Sequence, residues 1–159
     1  MTSALERLQE ETRELLRSRS ELAGVEVLSY RSSDLASALQ VYAREPLGIC
    51  AIVMPPLPLS FRESAPHRGA ATVELRVRVV ENIGSHRGAR RALECAEMIH
   101  RIICGASLSC GNSRRTLLPA GNSPWSIGEN FPESTLLEIE LRFWAQMFLK
   151  PAESGGGEL

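Results

Sequence analysis

Two stretches of this chain alternate apolar and polar residues with a period of two. In TVELRVRVV (72–80), Val73, Leu75, Val77 and Val79 fall on one side, with Glu74, Arg76 and Arg78 between them. In STLLEIELRFWAQMFLK (134–150), Leu137, Ile139, Leu141, Phe143, Ala145, Met147 and Leu149 share one parity, and Glu138, Glu140 and Arg142 the other. Successive side chains of a strand point to opposite faces, so each stretch predicts a strand with one buried face. Gly48 to Met54 (GICAIVM) is apolar throughout and bounded by Gly and Pro, as expected of a strand buried on both faces. VEVLSY (25–30) predicts a further short strand, alternating at Val25 and Val27 before the pattern blurs.

Elsewhere the apolar period is helical. Ser3 followed by Glu6 reads as a capping box. Behind it, Leu5, Leu8, Leu15 and Leu16 form an apolar stripe interrupted at Glu11 and Thr12. Glu10 with Arg13, and Glu14 with Arg17, stand three apart and support an exposed opposite face. Asp34 is a suitable N-cap for a short second helix carrying Leu35, Ala38, Leu39 and Tyr42, which Pro46 stops. The strongest helical pattern is SHRGARRALECAEMIHRIIC (85–104). There Ala89, Ala92, Leu93, Ala96, Ile99 and Ile103 follow the i, i+3, i+4, i+7 rule, and Met98 and Ile102 widen the face. Gly105 stands where a left-handed residue would close this helix. Its small residues predict close approach to a sheet.

Between these elements, Pro55 to Ala71 carries four prolines and reads as a long connection without regular structure. A loop of that length inside a compact domain is expected to be mobile or ordered by a partner. Ala106 to Ser134 is rich in Gly, Asn, Ser and Pro, with short strands expected at Thr116–Leu118 and Trp125–Ile127. PAESGGGEL (151–159) reads as a disordered tail. Strands with one polar face suit antiparallel pairing better than a doubly wound parallel sheet. The expected fold is therefore α+β. A single domain over residues 1–150 would hold a largely antiparallel sheet of four or five strands, with the first helix and the 85–104 helix packed on one face.

Composition narrows the function classes. A chain of 159 residues is long enough for one domain with a real core. A net charge of −1 gives no overall attraction to a polyanion, although local basic patches remain. The charged N-terminus lacks the apolar segment of a secretion signal, and no run approaches the roughly 18 apolar residues of a membrane span. Cys50, Cys95, Cys104 and Cys110 show no CxxC or paired metal spacing, and read as reduced thiols of an intracellular protein.

Site chemistry finds little support. His67, His86 and His100 lack partners at metal-ligand spacing, and His100 reads as a residue on a helix flank. There is no GxSxG elbow, and GASLSCG is neither a P-loop nor a dinucleotide fingerprint. Cys104 and Cys110 carry no mark of activation. Glu138 and Glu140 stand two residues apart on one strand face, about 7 Å, where a solvated polar face explains them better than a carboxylate pair for glycoside chemistry. No catalytic residue, metal, cofactor or small-molecule substrate is expected.

The basic residues Arg87, Arg90, Arg91 and Arg101 would share the polar side of the 85–104 helix. They motivate an alternative: a small nucleic-acid-binding or regulatory module. Against it stand Glu94 and Glu97 and the lack of any recognised nucleic-acid motif. If the two alternating strands pair, Glu74, Arg76 and Arg78 meet Glu138, Glu140 and Arg142 across the polar face, with Arg76 and Arg78 matched in charge to Glu138 and Glu140. Trp144 and Phe148 interrupt that charged face with large aromatics. Arg76, Arg78, Glu138, Glu140, Arg142, Trp144 and Phe148 are thus the candidate interface residues.

The order of elements resembles the tail-terminator and tail-completion (minor tail) proteins of long-tailed bacteriophages and prophages. The resemblance lies in architecture over residues 3–150. It runs from an amphipathic N-terminal helix to an apolar strand ending in prolines (GICAIVMPP), then an alternating strand and polar turn (TVELRVRVVENIGSHRG). A helix closed by Gly (LECAEMIHRIICG), a Gly/Asn-rich region and a final long strand (STLLEIELRFWAQMFL) follow. The Cys-rich helix end and the Pro55–Ala71 segment depart from the family's usual look. The resemblance implies a non-enzymatic homo-oligomer, a hexameric ring that contacts tail-tube and head-connector proteins. It also implies a loop-lined lumen for non-specific passage of DNA, and residence in the host cytoplasm during assembly and then in the virion tail.

Overall fold

The computed structural model describes residues 3–30, 48–61, 69–82, 91–121, 124–128 and 136–149. In chain order these form α1 (Ala4–Arg17), a 3-10 turn (Ser20–Leu22), β1 (Glu26–Ser29), β2 (Ile49–Val53), β3 (Leu57–Phe61) and β4 (Ala70–Asn82). They continue with α2 (Ala92–Cys104), β5 (Leu108–Cys110), β6 (Ser113–Arg115), β7 (Leu118–Pro119), β8 (Trp125–Gly128) and β9 (Leu136–Phe148). The expected helix from Asp34, residues 85–90 of the expected 85–104 helix, His67, His86 and the 151–159 tail lie outside the described residues.

The spine of the sheet is the antiparallel pair β4–β9, in register from Ala70 opposite Phe148 to Asn82 opposite Leu136. Shorter strands flank it end to end. On the free edge of β4, β2 pairs with the second half and β3 with the first. On the far edge of β9, β8 pairs near Ile139 and Leu141, and β7 near Phe143 and Trp144. Among the described residues the sheet therefore holds seven strands, while its continuous path β1-β2-β4-β9-β7 is five strands wide. All pairings in it are antiparallel except β1 with β2. The fold is α+β, as the alternation predicts.

The core lies where α1 and α2 cover one face. Val73, Leu75, Val77 and Val79 of β4 and Ile139, Leu141, Phe143, Ala145 and Met147 of β9 are buried there. Burying each large apolar side chain stabilises the fold by about 1.5–3 kcal/mol relative to leaving it exposed. β2 is buried on both faces. Ile49, Ala51 and Val53 join this core, while Cys50 and Ile52 join a second small cluster with Met54 and Val80 on the opposite face. That division is why GICAIVM is apolar throughout.

α1 opens with both arms of the capping box: Glu6 N–H donates to Ser3 Oγ, and Ser3 N–H to Glu6 Oε2. The apolar stripe is not interrupted at Thr12. This residue is buried between Leu8 and Leu16, and its hydroxyl donates to the Leu8 carbonyl at 2.7 Å, which removes the penalty of burying it. Gln9, also buried, donates from Nε2 to the carbonyls of Tyr30 and Val53, both at 2.9 Å, and so pins α1 to the ends of β1 and β2.

Several expectations are corrected. The Pro55–Ala71 connection contains β3, and β4 already begins at Ala70. The prolines conceal a strand that, among the described residues, pairs along one edge only, where a missing N–H is tolerated. α2 starts at Ala92, with Arg91 extended at the N-cap position. Its core face is Ala92, Cys95, Ala96, Ile99, Ile102 and Ile103, which leaves Leu93 57% exposed. Gly105 has φ −93°, so the helix ends without a left-handed residue. The strand expected at Thr116–Leu118 lies at Leu118–Pro119, and the β5–β6 hairpin was not anticipated. All four cysteines are free thiols.

A candidate interface on the open face of the sheet

The pleat of β4 and β9 puts every candidate interface residue on the face opposite the helices. Residues directly opposite in an antiparallel pair project to the same side. The register therefore builds transverse rows. One row runs Leu57–Glu74–Trp144–Leu118 across β3, β4, β9 and β7. The next is Arg76 opposite Arg142, and the one after is Arg78–Glu140–Ser126. Phe148 stands beyond the first row, opposite Ala70.

The first row is apolar apart from Glu74. Leu57, Trp144, Leu118 and Phe148 are between 37% and 66% exposed, an uncommon concentration of large apolar side chains in solvent. Two contacts hold the Trp144 indole. Its N–H donates to Glu74 Oε2 at 3.0 Å, and its ring edge lies against Gly121. Gly121 has φ +47°, and a Cβ built there would stand 3.1 Å from the indole, so glycine serves both the backbone turn and the close approach.

Charge is also ordered along the face. Arg78 Nε lies 2.8 Å from Glu140 Oε2 and 3.3 Å from Glu138 Oε1, with all three side chains no more than a quarter exposed. The expected match of Arg78 to both glutamates is therefore present, though less solvated than a simple polar face. Both carboxylates share one guanidinium. Arg76, by contrast, faces Arg142, and neither glutamate. Like charges directly opposite repel one another. Gln146 Nε2 donates to Thr72 Oγ1 at 2.8 Å and closes the row between Trp144 and Phe148.

Leu57 and Leu118 were not among the candidates from sequence. Leu57 lies within the proline-rich stretch and Leu118 within a polar region, and only the register aligns them with Trp144. An open groove of about 680 Å³ adjoins Phe148, lined by Ala4, Leu5, Arg7, Gly111 and Leu149 among others.

The other chemistry-bearing residues are accounted for locally. The Trp125 indole, a donor only, gives its N–H to His100 Nδ1 at 3.1 Å, so neutral His100 carries its proton on Nε2. That nitrogen lies 3.9 Å from Cys104 Sγ and offers it a proton; it has no lone pair with which to take one. Burial pushes the Cys104 thiol up, and raises Cys110 against the opposing pull of Arg115 and Arg114. Cys50 is pushed up to about 12, first by burial and then by Glu26. Thiolate, the reactive form, is thus disfavoured at all three. Among the described residues no group of three or more His, Cys, Asp or Glu side chains is placed to hold a metal ion. No described helix is long and apolar enough to cross a membrane.

Arg87 and Arg90 lie outside the described residues. Arg91 Nη1 is 3.6 Å from the buried Glu81 carboxylate, and Arg114 is held by Glu11 and by the Ser107 carbonyl. Comparisons of this chain with protein-family models and with curated proteins return no match.

Proposed function

We propose that this chain is a non-enzymatic structural protein of a phage or prophage tail, similar to the tail terminators. In this reading it assembles with copies of itself into a ring at the head-joining end of the tail tube. The observation that carries the reading is the open sheet face, where an exposed apolar row anchored by Trp144 lies beside aligned rows of charge. Aromatic anchors beside ordered charges suit a protein partner, the aromatics supplying affinity and the charges register. The order of elements supports the tail context: a capped amphipathic helix, an apolar strand ending in prolines, an alternating strand, a helix and a long final strand. Tail-tube and head-connector proteins would be its neighbours, with DNA passing through the ring.

Size-exclusion chromatography with light scattering, followed by negative-stain microscopy, tests the reading. The expected result is a species several times heavier than the 17.5 kDa chain, with rings visible in the images. A strict monomer at high concentration, without rings, would overturn it.

A further inference from the structure

A strand can add to a sheet edge only where main-chain N–H and C=O groups face outward. Alternate residues of a strand direct both groups to the same side. Arg142 donates its N–H to the Pro124 carbonyl and accepts the Ala120 N–H, so Arg142 and, two residues away, Glu140 bond toward β7 and β8. Ser126 pairs with Glu140 and therefore bonds to β9, which leaves Trp125 and Ile127 with both of their groups turned outward.

The outer edges of β1, β3 and β7 are closed. Tyr30 donates its N–H to the Val53 carbonyl, so Val27 of β1 faces outward, and it is 2% exposed. Met54 donates to the Arg76 carbonyl, which sets Glu74 and Thr72 toward β3 and leaves Pro58 and Phe61 facing out. Pro58 has no N–H, and the bulge between Pro58 and Ser60 breaks the spacing to Phe61. On β7 the outward residue is Pro119, again without an N–H. β8 differs. Ile127 is 63% exposed, no described strand pairs with its outer side, and Pro124 spends its carbonyl on β9.

This edge complements itself. Turned about a two-fold axis at Ser126, Trp125 of one copy lies opposite Ile127 of the other, and each such pair exchanges both main-chain bonds. Trp125 and Ile127 stand opposite Leu141 and Ile139, so both side chains project to the core side of the sheet. The exposed Ile127 then lies beside the indole of the other copy. Strands spaced about 4.8 Å apart set the two β9 strands about 14 Å from each other, more than the 8–10 Å or so between packed helices. α2, which packs on β9 and β4, therefore leaves room for the approach.

We infer that two copies of this chain pair edge to edge through β8, antiparallel, with Ser126 at the two-fold axis. The row Arg78–Glu140–Ser126 continues across the axis into its own copy. The contact is isologous and closes at two copies. It uses neither Trp144 nor Phe148, and so goes beyond the ring and stands apart from it.

Cysteine cross-linking of the full chain tests the pairing. Ser126 would face its copy at a non-hydrogen-bonded site, where Cα atoms are about 4.5 Å apart, within disulfide range. Ser126→Cys, incubated with oxidised glutathione, is expected to form a covalent dimer whose 126–126 disulfide peptide mass spectrometry identifies. Sedimentation velocity over a range of concentrations reads the protein without the cross-link. Ile127→Pro removes an outward N–H and leaves the β9 ladder untouched, so it should weaken the dimer at least tenfold. Ile127→Glu keeps the backbone, sets a carboxylate beside the neighbour's indole, and should weaken the dimer as well; thermal melts check that both variants fold. A Ser126→Cys protein that stays monomeric under oxidation, or cross-links only through its native cysteines, would overturn the pairing. Rings that form without a 126–126 disulfide overturn the β8 contact and leave the ring reading standing. A β8 dimer without rings supports this contact and overturns the ring.

Discussion

Glu81, near the end of β4, caps α2 from outside the helix: its Oε1 accepts the backbone N–H of Ala92 at 3.2 Å. Arg91, at the N-cap position, supplies no side-chain cap of its own. The carboxylate is 3% exposed and sits at the positive end of the helix, with Arg91 Nη1 3.6 Å away. The same contact joins the end of the central strand to the start of the helix that covers it, and so sets where α2 begins.

Removing this cap should destabilise the fold. Glu81→Ala is expected to cost about 1–3 kcal/mol, from the lost cap and the unmet N–H. Glu81→Gln keeps an acceptor of the same shape and should cost less than half as much. Urea unfolding, read as a shift of midpoint at unchanged slope, measures both. Equal losses from the two substitutions would show that the charge, and not the hydrogen bond, carries the effect.

The Trp125–His100 hydrogen bond joins β8 to α2 in a half-buried setting. Nitrogen-15 NMR of the imidazole should show the Nε2–H tautomer, because the indole can only donate. His100→Phe keeps a ring against Phe143 and Trp125 but leaves the indole N–H without its acceptor, at a cost of about 1–3 kcal/mol. An Nδ1–H tautomer in the spectrum would refute the assignment.

Alkaline stability should depend on Cys50. Its thiol ionises near 9.0 when unfolded but only at about 12 in the folded chain. A raised folded value means that the neutral thiol is favoured by folding. This contribution is complete below pH 9 and is lost as pH rises from there toward about 12. Cys50→Ala should therefore show a shallower fall in urea midpoint above pH 9 than wild type, whatever its stability at neutral pH. Parallel profiles would count against burial of the thiol.

Much of the fold was legible because it is written in local periods. The alternation at Val73–Val79 and Leu137–Met147 identified the two spine strands and their buried faces. Ser3 and Glu6 marked the start of α1, since a capping box needs only residues three apart. The candidate interface was legible in part: one parity of two strands placed Arg76, Arg78, Glu138, Glu140, Arg142, Trp144 and Phe148 on a common face. β3 was not legible, because Pro55, Pro56 and Pro58 signal a loop unless an edge pairing is known. Leu57 and Leu118 were missed for a related reason, since their place beside Trp144 exists only across strands.

The sequence by itself determined which residues alternate, which repeat every three to four, and hence which side of each element turns inward. These follow from the geometry of a single strand or helix. Only the tertiary structure decided that Arg78 meets Glu138 and Glu140 while Arg76 meets Arg142, because a pairing register belongs to two chain segments together. It also decided that α2 starts at Ala92, through a carboxylate eleven residues upstream, and that Leu93 stays in solvent. Periodicity assigns a residue to a face, but the neighbours that reach that face decide whether it is covered.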